Sequence, residues 1–198
     1  MIGLDGAGKT TILNKLVKTE TEIEINIPSV GLLVKRAPTM INADLTVWDV
    51  GYDEIIIGPR IFRERFWHQR ANSIIFVIDS TERDRFSLAC EELHKQLQHL
   101  ESFGKPLLVL ANKQDLNDSA SLSEITELLS LDKIEDRPWN VMSCAGRSGK
   151  GLKEGFQWLQ EAVINPSVYM KYGQMNCIES SYRIKNAKNI VNNNIKSC

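Results

Sequence analysis

The run Gly3-Leu4-Asp5-Gly6-Ala7-Gly8-Lys9-Thr10 constrains this chain more than any other stretch. It satisfies the phosphate-loop pattern G-x-x-x-x-G-K-[ST] in full. Glycines let the backbone curl until successive N–H groups point at one anion. A lysine at this spacing reaches the terminal phosphates of a nucleotide, and the hydroxyl after it can hold a magnesium ion. The helix expected to start at Lys9 and run to about Lys18 adds the positive end of its dipole to the same point. A glycine-rich turn between strand and helix can be no more than a turn, but here glycine, lysine and threonine are all in place. The expectation is a nucleotide phosphate site, and with it an α/β fold.

The rest of the pattern agrees. Asp44-Leu45-Thr46-Val47-Trp48-Asp49-Val50 begins with period-two alternation and reads as a strand. Ile74–Asp79 and Leu107–Ala111 are short unbroken apolar runs, suited to strands buried on both faces of a parallel sheet. Trp139–Ser143 is a further candidate of this kind. Amphipathic helices are expected between them. One runs from Asp84 to Phe103, with Phe86, Cys90, Leu93, Leu97 and Leu100 at helical spacing and Gly104 and Pro106 as its stop. Ser121-Leu122-Ser123-Glu124 offers a capping box for a second. A last helix spans Gly151 to Val163, ended by Pro166. Alternation of this sort predicts a doubly wound, mostly parallel sheet.

With 198 residues, 42% hydrophobic and 25% charged, the chain suits one domain with some excess. A net charge of −1 gives no general attraction to nucleic acid. Cys90, Cys144, Cys177 and Cys198 form no C-x-x-C pair, which reads as a reduced intracellular chain without structural zinc. Residues 165–198 are polar, asparagine-rich and mildly basic. They are expected to form a disordered tail after a domain at 1–164, with contact to acidic lipid as the minor alternative.

Guanine specificity is legible further on. Asn112-Lys113-Gln114-Asp115 follows the third buried strand directly, at the carboxyl end where open α/β sheets bind ligands. A carboxylate at Asp115 can accept from the N1–H and exocyclic amine of guanine, a donor pair that adenine lacks. Ser143-Cys144-Ala145, after the next strand, can offer a backbone N–H to the guanine oxygen.

These segments resemble the ADP-ribosylation factor (Arf) and Arf-like family of small GTPases. So do Trp48-Asp49-Val50-Gly51, Ile27-Pro28-Ser29-Val30-Gly31, and Gly151-Leu152 with Trp158-Leu159. The resemblance covers about residues 1–164. It implies a phosphate-loop GTPase fold and a GDP/GTP switch that requires magnesium. Nucleotide contacts carry over to Gly3, Asp5, Gly6, Ala7, Gly8, Lys9, Thr10, Thr11, Gly51, Asn112, Lys113, Asp115, Ser143, Cys144 and Ala145. Magnesium carries over to Thr10 and Ser29, and through water to Asp49. Effectors would meet Leu32, Trp48 and Trp67. A monomer working in vesicle trafficking is implied, in the cytoplasm or at the periphery of intracellular membranes.

The departures from the family pattern fall at the second switch and at the amino end. Tyr52 replaces a glycine at the γ-phosphate, and Asp53 stands where the family has a water-orienting Gln. These degenerate catalytic positions lead to the expectation of slow or absent GTP hydrolysis. The alternative is a pseudo-GTPase scaffold that binds partners without sensing the γ-phosphate; a phosphate-loop kinase or ATPase fits Asp115 poorly. Only Met1 and Ile2 precede Gly3, so the strand leading into the phosphate loop is expected to be largely missing. Ile2 also occupies the place where a myristoylation signal needs glycine.

Overall fold

The structure, a computed structural model, describes residues 1–16, 23–27, 32–38, 44–50, 69, 71–99 and 102–170; within 23–50 and at residue 170 the description is of the backbone. Three strands, β1 (Ile23–Ile27), β2 (Leu32–Pro38) and β3 (Asp44–Val50), form an antiparallel sheet in that order. Three more, β4 (Ile74–Asp79), β5 (Leu107–Asn112) and β6 (Trp139–Ser143), form a parallel sheet.

The parallel sheet is the core. Every residue of β4 and β5 is buried, and pleating sends alternate side chains to opposite faces. Ile74, Phe76, Ile78, Leu107 and Val109 join one apolar cluster, while Ile75, Val77, Leu108 and Leu110 join the other. The first face is covered by α2 (Phe86–Leu97) and α3 (Leu122–Leu128). The second is covered by α1 (Lys9–Leu16) and α4 (Leu152–Ile164), which contribute Ile12, Leu16, Phe156 and Leu159. This is the doubly wound arrangement that the unbroken apolar runs predict. The capping box also forms in part. Ser121 accepts from the Glu124 N–H at 3.2 Å, but the Glu124 carboxylate pairs with Arg83 instead of folding back.

One boundary differs from the sequence reading and one agrees with it. The helix predicted over Asp84–Phe103 is a 3-10 turn at Arg83–Arg85 followed by α2, which stops at Leu97. Arg137, from the loop before β6, draws the chain off there by donating to the carbonyls of Leu97 and Ser102. Pro166 falls just past the end of α4 at Ile164, where the sequence reading puts the stop. It opens a short helix, α5 (Pro166–Met170), since proline fits a first helical turn where no N–H is needed. Tyr169 of α5 meets Trp158 edge to face, with ring centroids 5.9 Å apart, and its hydroxyl donates to Glu161. The described chain ends with this turn; the tail beyond 170 lies outside the described residues.

The strand expected before the phosphate loop is present as a single bridge. The Ile2 N–H donates to Ile75 O at 2.8 Å and Ile2 O accepts from Val77 at 2.9 Å. That parallel pairing to β4 delivers Gly3 to the carboxyl end of the sheet.

Candidate functional site

The phosphate loop is shaped by contacts that leave no room for side chains. Gly3 has φ +143° and Gly8 φ +94°, both in the region that favours glycine. A Cβ on Gly3 would lie 2.2 Å from Val77 O, and one on Gly8 2.3 Å from Asn112 Nδ2. The loop therefore closes on β4 at one end and on β5 at the other. Lys9 folds back across it, buried, with Nζ donating to Gly3 O and Leu4 O, each at 2.9 Å. An ammonium held inside a curl of backbone at the start of α1 is what a phosphate group needs. Thr10 and Thr11 follow Lys9 in the first turn of α1 and are exposed.

The side of the loop is clipped by a residue the sequence reading did not single out. Arg85 pairs through Nη2 with the Asp5 carboxylate, donates to Asp5 O at 3.3 Å and reaches Glu82 at 3.0 Å. The hydrogen bond from Arg85 holds the Asp5 carboxyl below the usual carboxylate range.

The base end is built on Asn112. Its Nδ2 donates to Ala7 O at 2.7 Å, and its Oδ1 accepts from the Gly146 N–H at 2.8 Å. One buried amide thus ties the phosphate loop, the end of β5 and the loop after β6 together. Lys113 follows with φ +63°, a left-handed conformation costing a side-chain-bearing residue about 1–2 kcal/mol. Around it, Gln114 donates from its backbone to Cys144 O at 3.1 Å and from its side chain to Ala120 O at 2.8 Å. Leu116 closes a turn on Lys113 O at 3.0 Å. Asp115 is carried exposed on that turn, where a ligand can meet it.

The loop after β6 is placed as expected but uses its donors internally. The Cys144 N–H donates to Ala111 O at 2.8 Å and the Ala145 N–H to Lys150 O at 3.0 Å. A guanine oxygen arriving there would share or replace the Lys150 acceptor. Burial and the nearby Asp115 push the Cys144 thiol up to about 12, so it is neutral and plays no nucleophilic part.

The structure brings together Gly3, Asp5, Gly6, Ala7, Gly8, Lys9, Thr10, Asn112, Lys113, Asp115, Cys144 and Ala145 around the carboxyl ends of β4, β5 and β6. Asp49 and Trp48 are on β3 and Leu32 on β2. The register pairs Leu32 with Val50 and Val34 with Trp48, so Leu32 and Trp48 share one sheet face. Ser29, Gly51, Tyr52, Asp53 and Trp67 lie outside the described residues. Among the described residues no His/Cys/Asp/Glu group is arranged to hold a metal, and no helix is long and apolar enough to cross a membrane.

A buried, lysine-filled backbone cradle joined through Asn112 to a guanine-type loop defines the class: a phosphate-loop GTPase fold on a doubly wound sheet. The sequence profile of the ADP-ribosylation factor family matches residues 1–163. ADP-ribosylation factor K of Dictyostelium discoideum is 41% identical over 165 residues, covering 83% of this chain and 84% of the relative. ADP-ribosylation factor J of the same organism is 39% identical over the same coverage. Among solved structures, the Arl6 BBS3 small GTPase from Trypanosoma brucei with bound nucleotide analogue GppNp superposes with TM-score 0.69. That match is 27% identical and covers 84% of this chain and 96% of the other. The chain belongs to the ADP-ribosylation factor family of small GTPases.

Proposed function

We propose that the chain is an Arf-like guanine-nucleotide switch that binds GDP and GTP with magnesium and hydrolyses GTP slowly or not at all. The observation that carries the binding half is the Asn112 amide, which locks the phosphate loop at Ala7 and the base loop at Gly146 into one site. Lys9 and the loop amides hold the β- and γ-phosphates, and Asp115 accepts from the guanine edge. Magnesium, when bound, neutralises charge between the phosphates. Thr10, Ser29 and a water on Asp49 would hold it, a set of the kind suited to an ion that keeps several waters and needs few carboxylates. Slow turnover follows from Tyr52 and Asp53, and effectors meet the face that carries Leu32 and Trp48, together with Trp67. The same two residues favour a second reading, a pseudo-GTPase scaffold that binds partners independently of the γ-phosphate, against which the intact phosphate and guanine motifs speak.

Titration with fluorescent methylanthraniloyl (mant) derivatives of GDP and ADP tests the site. GDP should bind far more tightly, and Asp115→Asn should move preference toward xanthine nucleotides, because a site built around a substrate donor rejects analogues that lack it. Equal affinity for the two bases would remove the guanine reading.

A further inference from the structure

The end of β4 holds a buried carboxylate beside the guanine loop. Asp79 is 4% exposed. Burial pushes its carboxyl up, but Lys113 and the Thr81 donors outweigh this and hold it below the usual range. Oδ1 accepts from the Thr81 N–H at 3.0 Å and the Thr81 hydroxyl at 2.7 Å. Oδ2 faces Nζ of Lys113. The backbone beside it is tied to the same loop: Ser80 N–H donates to Asn112 O at 3.0 Å and Ser80 O accepts from Ala120 at 2.7 Å.

The partner makes this arrangement more than a brace for the loop. Lys113 has its backbone at φ +63° and its side chain about one third exposed beside the turn that carries Asp115. A lysine stem has four rotatable bonds and in water samples many rotamers. Anchoring its far end to a nearly buried, pre-oriented carboxylate turns the stem into a fixed apolar wall. A flat purine beside Asp115 needs such a wall, and needs it ordered before it arrives.

We propose that Asp79, oriented by Thr81, is a positioning residue for Lys113, and that this tether slows release of the bound guanine nucleotide. The inference rests on the guanine-nucleotide reading above. Asp79 touches no nucleotide in this scheme; it acts through the lysine.

The test is release of mant-GDP, chased with excess GDP, from four full-length proteins: unmodified, Asp79→Asn, Lys113→Met, and the double variant. Met keeps an apolar stem and removes the ammonium. Each single variant should release nucleotide roughly tenfold faster, the scale of one charge-assisted hydrogen bond. The double variant should release no faster than Lys113→Met, because Asp79 then has nothing left to hold. A fold-bracing role would act equally in both backgrounds, so multiplying effects, or an unchanged rate in Asp79→Asn, would overturn the inference. Should Asp79→Asn fail to fold, Thr81→Val runs the same cycle, with about threefold faster release expected and none in the Lys113→Met background. Failure of the unmodified protein to take up mant-GDP would instead overturn the nucleotide reading, and the tether with it.

Discussion

At the scale of single residues, Asn112 shows how a motif side chain can also hold the site together from within. The sequence places it in a base-binding tetrapeptide, and the residue, 3% exposed, also bonds inside the protein. Donor and acceptor ends are both used, on Ala7 O and the Gly146 N–H. Asn112→Ala would strip a buried carbonyl and a buried N–H of their partners, each costing about 1–3 kcal/mol. The expected outcome is a loss of roughly 2–4 kcal/mol in urea unfolding together with faster release of both GDP and GTP. A normal unfolding midpoint would show that water replaces the amide without cost. The phosphate loop was legible because its residues are contiguous and its chemistry is local. Asp79, Arg85 and Gly146 were not, since each works through a partner far along the chain, at Lys113, Asp5 and Asn112.

At the scale of elements the same contrast holds. Strands β4 and β5 could be read directly because both faces are buried and the sequence says so in unbroken apolar runs. The alternation Ile23-Glu24-Ile25-Asn26-Ile27 is a strand signal that a motif-led reading leaves unused, and it forms β1. The end of α2 was not legible, for its cause is Arg137, 40 residues beyond Leu97. Arg137 is buried; it donates to Ser102 O at 2.9 Å and Leu97 O at 3.2 Å, and holds Asp136 through two bonds. The hydrogen bond from Arg137 lowers the Asp136 carboxyl below its usual range. A depressed folded-state pKa adds stability that is complete above the unfolded value, near pH 4, and disappears as pH falls through the lower folded one. Arg137→Met should therefore cost about 2 kcal/mol at neutral pH, mostly from the lost donor at Leu97 O, because Ser102 O keeps the Lys105 N–H and Asp136 is partly exposed. The gap between variant and unmodified protein should narrow in guanidinium unfolding at pH 3. Identical midpoints at pH 7 would refute the role given to this residue.

At the scale of the whole molecule, the described strands divide into a parallel half that carries the nucleotide site and an antiparallel half, β1 to β3, that carries the proposed effector face. The sequence joins them through residues that include Gly51, Tyr52 and Asp53, so coupling between halves depends on the segment that diverges most from the family pattern. Phosphoryl transfer asks little covalent chemistry of a protein; positioning the water and stabilising charge supply nearly all the catalysis. Even with glutamine in place, an unaided small GTPase turns over at only ~10⁻⁴ per second. In the proposed switch Asp53 would lack the amide donor, and a carboxylate at ~5 Å from the γ-phosphate would be repelled by roughly 3 kcal/mol per charge pair at an effective dielectric near 20. Tyr52 adds a β-carbon where the backbone has to approach closely. A protonated Asp53 orienting water instead would need a strongly raised carboxyl pKa. Single-turnover hydrolysis, measured on protein preloaded with GTP and magnesium, should be slower than in relatives that keep the glycine and glutamine. Tyr52→Gly with Asp53→Gln should together restore it, while mant-GDP affinity stays as it was because the phosphate and base loops are untouched. An ordinary rate in the unmodified protein would mean that its switch finishes the reaction without the glutamine, and that Tyr52 and Asp53 do not set its timing.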